Sequence, residues 1–310
     1  MDTDNTAAVA AFGPVLAQLN EIVLDKDQQI KMALTCLLAR GHLLIEDLPG
    51  LGKTVLAHAL GHTLGLKYQR VQFTSDLLPG DIIGCSIYNR DTGQFVFTDG
   101  PVFTQLLLAD EINRATPKCQ SALLEAMEEH QVSIDGKARE LPDPFFVIAT
   151  QNPSEQVGTF PLPESQLDRF LMCISMGYPN RDAEIELFRG TDRRRLLDAL
   201  KPMIETQELL RLQGAVGKVA LSDAVLDYLH RILDFTRNSE LFHGGLSTRA
   251  GLGLLRAAQA WAFLHGENKL LPSDIQVVLP AVVGHRLVPV VGRMSATQIG
   301  EAIISKVSID

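Results

Sequence analysis

"IEDLPGLGKT", residues 45–54, is the stretch on which the reading of this chain turns. An apolar run leads into it, its middle is rich in Pro and Gly, and Gly52-Lys53-Thr54 opens the helical pattern "KTVLAHALGHTLG". Strand, glycine-rich turn and helix form the setting of a phosphate-binding loop, in which backbone N–H groups curl toward phosphate oxygens at a helix N-terminus. In that reading Pro49, Gly50, Leu51, Gly52, Lys53, Thr54 and Val55 make the cradle. Lys53 reaches the outer phosphates and Thr54 holds Mg²⁺. The full pattern G-x-x-x-x-G-K-[ST] asks for glycine at position 47, where this chain has Asp47. A carboxylate pointing into the loop would repel phosphate: at an effective dielectric of about 20, two unit charges roughly 8 Å apart interact by about 2 kcal/mol. Asp47 is therefore expected to weaken affinity if it faces inward, while leaving the Gly50–Thr54 cradle intact.

Downstream segments supply what such a loop needs for hydrolysis. "LLLADE" (106–111) is an apolar strand that ends in two carboxylates. Asp110 can organise Mg²⁺ through its waters, and Glu111 can polarise the attacking water. "VIATQNP" (147–153) ends another strand in polar residues, and Asn152 can hold that water near a γ-phosphate; a turn-forming Asn before Pro is the plainer alternative. "LPESQLDRF" (162–170) puts Arg169 just ahead of a strand, where it can act as a finger on a neighbour's nucleotide or simply pair with Asp168. "LSTRAG" (246–251) opens a helix with Ser247 as cap and Arg249 in the first turn. A cation is poorly placed there for the helix dipole, which points to another anionic partner.

Around these motifs the chain reads as an α/β fold. Strand-like runs at 42–46, 68–73, 105–110, 145–150 and 170–175 alternate with helical patterns, including "TPKCQSALLEAMEEH" with Thr116 as cap and Pro117 in the first turn. That alternation predicts a mostly parallel sheet covered on both faces. Two hairpin inserts interrupt it, near 82–98 and 132–141, the second marked by Asp135-Gly136. From "YPNRDAE" onward strand patterns stop and helical ones dominate, so the expected domains are 1–177, holding the sheet, and 178–310, helical. The 310 residues suffice for two such units.

Composition narrows the class further. Hydrophobic residues are 46% and charged residues 21%, and no apolar run is long enough to span a bilayer. Cys36, Cys85, Cys119 and Cys173 are widely spaced with no C-x-x-C pair, which argues for reduced thiols. The N-terminus is acidic where a secretory signal is basic, and a cytoplasmic location is expected. Net charge is −9, with pI about 5.4, so nucleic acid is a disfavoured partner. The basic run Arg193-Arg194-Arg195 reads as a solvated helix face.

Taken in order, "DLPGLGKT", "LLLADEINRATPKCQSALLEAMEE", "FFVIATQNPSEQVGTFPLPESQLDRF", "STRA" and "LLRAAQAWAFLHG" resemble the motifs of MoxR-type AAA+ ATPases, over roughly residues 20 to 290. The resemblance implies a P-loop AAA+ αβα nucleotide domain followed by an all-helical lid, with inserts at the two hairpins. It implies Lys53 and Thr54 in Walker A, Asp110 and Glu111 in Walker B, Asn152 as sensor 1, Arg169 as arginine finger and Arg249 as sensor 2. ATP and Mg²⁺ follow from it, as do a homo-hexameric ring and a client or cofactor protein, in the family often one with a von Willebrand factor A domain. Two departures bear on affinity: Asp47 itself, and "VLDKDQQ" (23–29), which stands where the family typically has a glycine-glutamate adenine-side segment. The expected function is hydrolysis of ATP in a ring that remodels, assembles or activates a partner protein. A nucleotide-gated switch with little turnover and a DNA-directed motor are the rivals.

Overall fold

The computed structural model describes residues 3–153, 158–190, 196, 197 and 199–309. Strands β1 (Leu43–Glu46), β2 (Tyr68–Gln72), β5 (Leu106–Asp110), β8 (Phe146–Gln151) and β9 (Met172–Ile174) form one sheet in the order β2-β5-β8-β1-β9. Every pairing in it is parallel. Alternate residues of these strands serve opposite faces. Leu43, Ile45, Leu106, Leu108, Phe146 and Ile148 join one buried cluster, while Leu44, Leu107, Ala109, Val147 and Ala149 join a second. Burial on both faces explains why β1, β5 and β8 read as continuous apolar runs rather than alternating ones.

On the first face lie α3 (Lys53–Thr63) and two N-terminal helices, α1 (Thr3–Ile22) and α2 (Asp27–Leu38). The sequence reading did not anticipate α1 and α2. Residues Met32–Leu38 of α2 are all buried, so it shows no polar stripe by which an amphipathic helix is recognised. The second face is covered by α5 (Pro117–Glu129), with the short α4 (Pro79–Ile83) against it. Thr116 heads α5 with Pro117 behind it, but its hydroxyl turns to Cys119 Sγ at 3.5 Å and makes no cap.

Both hairpins are present. β3 (Gly84–Asn89) pairs antiparallel with β4 (Gln94–Asp99), and β6 (Gln131–Ile134) with β7 (Lys137–Glu140). Asp135 (φ 53°) and Gly136 (φ 73°) both sit in the left-handed region, as a type I′ turn requires. The hairpins meet: Ser86 Oγ donates to Asp135 Oδ2 at 2.5 Å, and the Arg139 guanidinium lies 3.7 Å from the Phe97 ring centroid.

After the one-turn α6 (Glu164–Leu167) and β9, the described residues are helical: α7 (Arg181–Phe188), α8 (Thr206–Val216), α9 (Asp223–Asn238), α10 (Thr248–Leu264), α11 (Pro272–Val283) and α12 (Ala296–Lys306). Helix α10 is the axis of this part. Residues 257–264 are buried without a break, and the helix packs on α1, α2 and α11. The basic run Arg193–Arg195 lies outside the described residues.

One buried histidine ties the sheet to α5. His42 Nδ1 accepts from the Val147 N–H at 3.1 Å and its Nε2 faces the Met127 carbonyl at 3.2 Å, which fixes a neutral ring with the proton on Nε2. Burial pushes its pKa down to about 4, opposed by the Met127 hydrogen bond and assisted by His130. Between the ordinary value near 6.5 and 4, the unfolded chain binds a proton that the folded one refuses, so stability falls as pH falls through that window. Replacing His42 with Asn should flatten the pH dependence of urea-unfolding free energy between pH 7 and 5 by up to about 1.4 kcal/mol per pH unit. An equal slope in parent and variant would show that His42 does not titrate in this way.

Candidate functional site

Because β1, β5 and β8 are adjacent and parallel, their C-terminal ends share one edge of the sheet, where ligands of open α/β folds bind. Lys53, Thr54, Asp110, Glu111 and Asn152 line a single cleft there of about 310 Å³, together with Pro49, Gly50, Gly52 and Val55. Leu51 lines an adjoining apolar cavity of about 210 Å³ that shares Gly50, Gly52 and Val55 with the cleft and is walled by Ile22, Val23, Leu24, Pro179 and Leu187. Gly50 (φ 82°) and Gly52 (φ 86°) both take the left-handed conformation that lets the loop turn back on itself before α3. The segment 23–29 thus contributes Val23, Leu24 and Lys26 to this cavity even though it lacks the expected glycine-glutamate pattern.

Asp47 does not face the loop interior. Its Oδ2 accepts from Ser175 Oγ and from the Gly177 N–H, each at 2.7 Å, and its Oδ1 accepts from the Leu48 N–H at 2.8 Å. Partial burial raises its pKa, but the hydrogen bonds from Gly177, Ser175, Leu48 and Met176 outweigh this and hold it below the ordinary carboxylate value. Only its backbone turns toward the cleft, where the Asp47 carbonyl accepts from Lys53 Nζ at 2.5 Å. The anticipated repulsion of phosphate requires an inward carboxylate, and this one is tied outward.

The acidic pair is held by residues that the motif alone does not reveal. Asp110 is nearly buried, its Oδ1 accepting from Thr150 Oγ at 2.6 Å and its Oδ2 from Arg70 Nη2 at 2.7 Å. Thr150 Oγ in turn accepts from the Glu111 N–H at 2.9 Å, so one hydroxyl links both carboxylate residues to β8. Glu111 is left-handed at φ 56°, a conformation that costs a non-glycine residue on the order of 1–3 kcal/mol. Its Oε2 accepts from Gln72 Nε2 at 2.9 Å and from Arg114 Nη1 at 3.0 Å. Arg70 and Gln72 share a face of β2, and Gln72 is registered against Asp110. Their signal in sequence was two polar residues two apart in "YQRVQF", beside a strand that ends in acids. Asn152, just beyond β8, is buried, and its carbonyl accepts from Asn113 Nδ2 at 3.5 Å.

Arg169 and Arg249 stand apart from this cleft and beside each other. Arg169 Nη1 donates to the Leu124 carbonyl at 2.7 Å and pairs with Glu128 Oε2 at 3.0 Å. Arg249 Nη1 pairs with Glu128 Oε1 at 2.8 Å, which identifies an anionic partner for this first-turn arginine. Ser247 caps α10 by accepting from the Ala250 N–H at 3.0 Å. Asp168 is not the partner of Arg169: it binds the buried Arg286 at 2.7 Å.

The donors at the cleft suit a hard divalent cation, since the Thr54 hydroxyl and Asp110 carboxylate offer oxygen. Among the described residues no group of three or more His, Cys, Asp or Glu could hold a metal by itself, so an ion here would depend on phosphate and water oxygens as well.

The comparisons with known proteins agree with this geometry. Residues 42–172 match the ATPase family associated with various cellular activities (AAA), and residues 234–307 match the AAA lid domain. The chain is 43% identical to the uncharacterized protein YeaC of Bacillus subtilis, over 89% of this chain and 86% of that protein. It is 38% identical to Chaperone MoxR1 of Mycobacterium tuberculosis, over 97% of this chain and 82% of that one. A crystal structure of a protein from Cytophaga hutchinsonii superposes with a TM-score of 0.90 at 36% identity, covering 98% of this chain and 96% of the other. An MCM homologue from Methanopyrus kandleri shares the fold alone, at 17% identity and a TM-score of 0.60 over 89% of this chain and 58% of that one. With a P-loop cleft at the edge of a parallel sheet, a helical lid and relatives of this identity along almost its whole length, the chain belongs to the MoxR-type family of AAA+ ATPases.

Proposed function

We propose that this protein hydrolyses Mg²⁺-ATP in an oligomeric ring and uses the cycle to remodel, assemble or activate a partner protein. The observation that carries the reading is the division of the site: Lys53, Thr54, Asp110, Glu111 and Asn152 share one cleft, whereas Arg169 and Arg249 form a pair outside it. A finger that lies off its own chain's cleft serves the nucleotide of a neighbour. In this reading residues 1–177 are the nucleotide domain and 178–310 the lid.

Placement supports the following roles. Backbone N–H groups of the Gly50–Thr54 turn and the Lys53 ammonium receive the phosphates, and the apolar cavity beside Leu51 accepts the base. Thr54 and Asp110 would hold Mg²⁺, which neutralises phosphate charge when bound. Glu111 takes a proton from the attacking water, Gln72 and Arg114 orient its carboxylate, and Asn152 positions the water. Arg169 and Arg249 stabilise charge on the neighbour's γ-phosphate. A hexamer and a partner with a von Willebrand factor A domain are supported by family likeness, and remodelling by the chaperone name of the M. tuberculosis relative. No described helix is long and apolar enough to cross a membrane, and a cytoplasmic location fits that. The net charge of −9 weighs against nucleic acid as a partner.

Lys53→Ala should abolish ATP binding, while Glu111→Gln should bind ATP and lose turnover by about 10²–10⁴-fold, the span of general-base contributions. Steady-state phosphate release at the parental rate from the Gln variant would remove Glu111 from its role. Negligible release from the parent protein would favour the switch instead.

Asp47→Gly should leave ATP affinity within about twofold in titration calorimetry, because the carboxylate it removes faces Ser175 and Gly177 rather than phosphate. Thermal unfolding should shift down by a few degrees as those hydrogen bonds, worth about 1 kcal/mol each, are lost. Tightening of tenfold or more would mean that the carboxylate does act on the phosphates.

Arg169→Ala subunits should bind ATP yet hydrolyse it some 10³–10⁵-fold more slowly. Mixed with Glu111→Gln subunits under exchanging conditions, they should regain activity at interfaces that join an intact Glu111 to an intact Arg169. Continued inactivity, with subunit exchange shown separately, would rule out a finger acting in trans.

A further inference from the structure

Glu128 closes the last turn of α5 and carries two arginines on one carboxylate. Oε2 is 3.0 Å from Arg169 Nη1 and Oε1 is 2.8 Å from Arg249 Nη1. The three side chains come from α5, the turn before β9 and the lid helix α10. Arg169 is further fixed by donating to the Leu124 carbonyl, one turn earlier on α5. Its backbone is bracketed from the lid: the Arg286 guanidinium donates to the Asp168 side chain and to the carbonyls of Asp168, Phe170 and Leu171. Arg286 has only 7% of its side chain exposed, so this bracket is a built part of the fold.

Partly exposed ion pairs contribute little to stability, and this trio is exposed by 29% at Arg169, 32% at Glu128 and 53% at Arg249. What the arrangement supplies is geometry. A carboxylate with one guanidinium on each oxygen keeps two long cationic side chains side by side and offsets their mutual repulsion. Each guanidinium has five donors, so both keep N–H groups for a further anion. The trio still carries one net positive charge.

We propose that Glu128 is a positioning residue for hydrolysis in the adjacent subunit: it holds Arg169 and Arg249 as a prearranged pair that receives the γ-phosphate of the ATP bound by that subunit. The inference rests on the trans reading of Arg169 given above. Its physical basis is that ordering two flexible arginines before the subunits meet removes that cost from the transition state.

The test uses full-length Glu128→Ala and the isosteric Glu128→Gln, with steady-state ATPase kinetics, nucleotide titration and thermal unfolding. Glu128→Ala should lower kcat by about tenfold or more while KM and ATP affinity change by less than about threefold, since its own cleft is untouched. Glu128→Gln, which keeps one acceptor oxygen and no charge, should fall between. Adding Glu128→Ala to a variant that already lacks both arginines, Arg169→Ala with Arg249→Ala, should cost nothing further, because Glu128 acts only through that pair. Glu128→Ala subunits should recover activity when mixed with Glu111→Gln subunits and should not recover when mixed with Arg169→Ala, whose defect lies on the same side of the contact. A purely structural role would lower the unfolding temperature without this side-specific pattern. Parental kcat in both Glu128 variants, a faster Ala variant, a further loss when Glu128→Ala is added to the variant lacking both arginines, or recovery with Arg169→Ala would each overturn the proposal. If Glu128→Ala does not fold, Glu128→Gln is judged by the same criteria at its intermediate loss. No recovery in the Arg169→Ala and Glu111→Gln mixture would refute the trans reading itself. Recovery there but not with Glu128→Ala would refute the role of Glu128 alone.

Discussion

Five parallel strands leave one edge of the sheet at which polar side chains can gather. Apolar cover on both faces keeps charged groups out of the middle strands β5, β8 and β1 up to their ends, and every strand delivers its last residue in the same direction. The phosphate loop leaves β1, the acidic pair ends β5, and Thr150, Gln151 and Asn152 end or follow β8. With β8 between β5 and β1, its polar end stands between the acids and the loop. The chemistry of the cleft is thus a consequence of strand order.

Within that frame Thr150 has a larger part than its size suggests. A single hydroxyl donates to the Asp110 carboxylate and accepts from the Glu111 N–H, which offsets part of the cost of the left-handed backbone at Glu111. That backbone turn directs the Glu111 side chain to Gln72 and Arg114 while Asp110 continues the line of the strand. Two adjacent acids therefore meet different surroundings, which is the condition for giving them different tasks.

Much of this was legible in the sequence wherever the signal was local. The strand runs, the Asp135-Gly136 turn, the Ser247 cap and the identity of the residues around the cleft each depend on a few neighbours along the chain. The features that were not legible depend on distant ones. The direction of the Asp47 side chain is set by Ser175 and Gly177, the arginine pair by a glutamate on another helix, and the Asp110 environment by Arg70 on a strand that pairs only after folding. The Asp168–Arg169 pairing, plausible from adjacency, gave way to Arg286, which approaches from the lid with a nearly buried guanidinium. Helix α2 escaped recognition for a related reason: its second half is buried on every side, and such a segment has no period to read.

Asp47 belongs to two parts of the fold at once. Its carbonyl is held by the loop lysine and its carboxylate by the chain that runs from β9 into the lid, where the Gly177 N–H is followed by Tyr178, whose carbonyl accepts from Lys26 Nζ at 2.9 Å. Between those two grips lie only the covalent bonds of one residue. One residue thus joins the loop lysine to the segment that follows β9. A glycine at the same position would complete the loop pattern and keep the carbonyl that meets Lys53, but it would leave the loop with no side chain reaching Ser175 and Gly177.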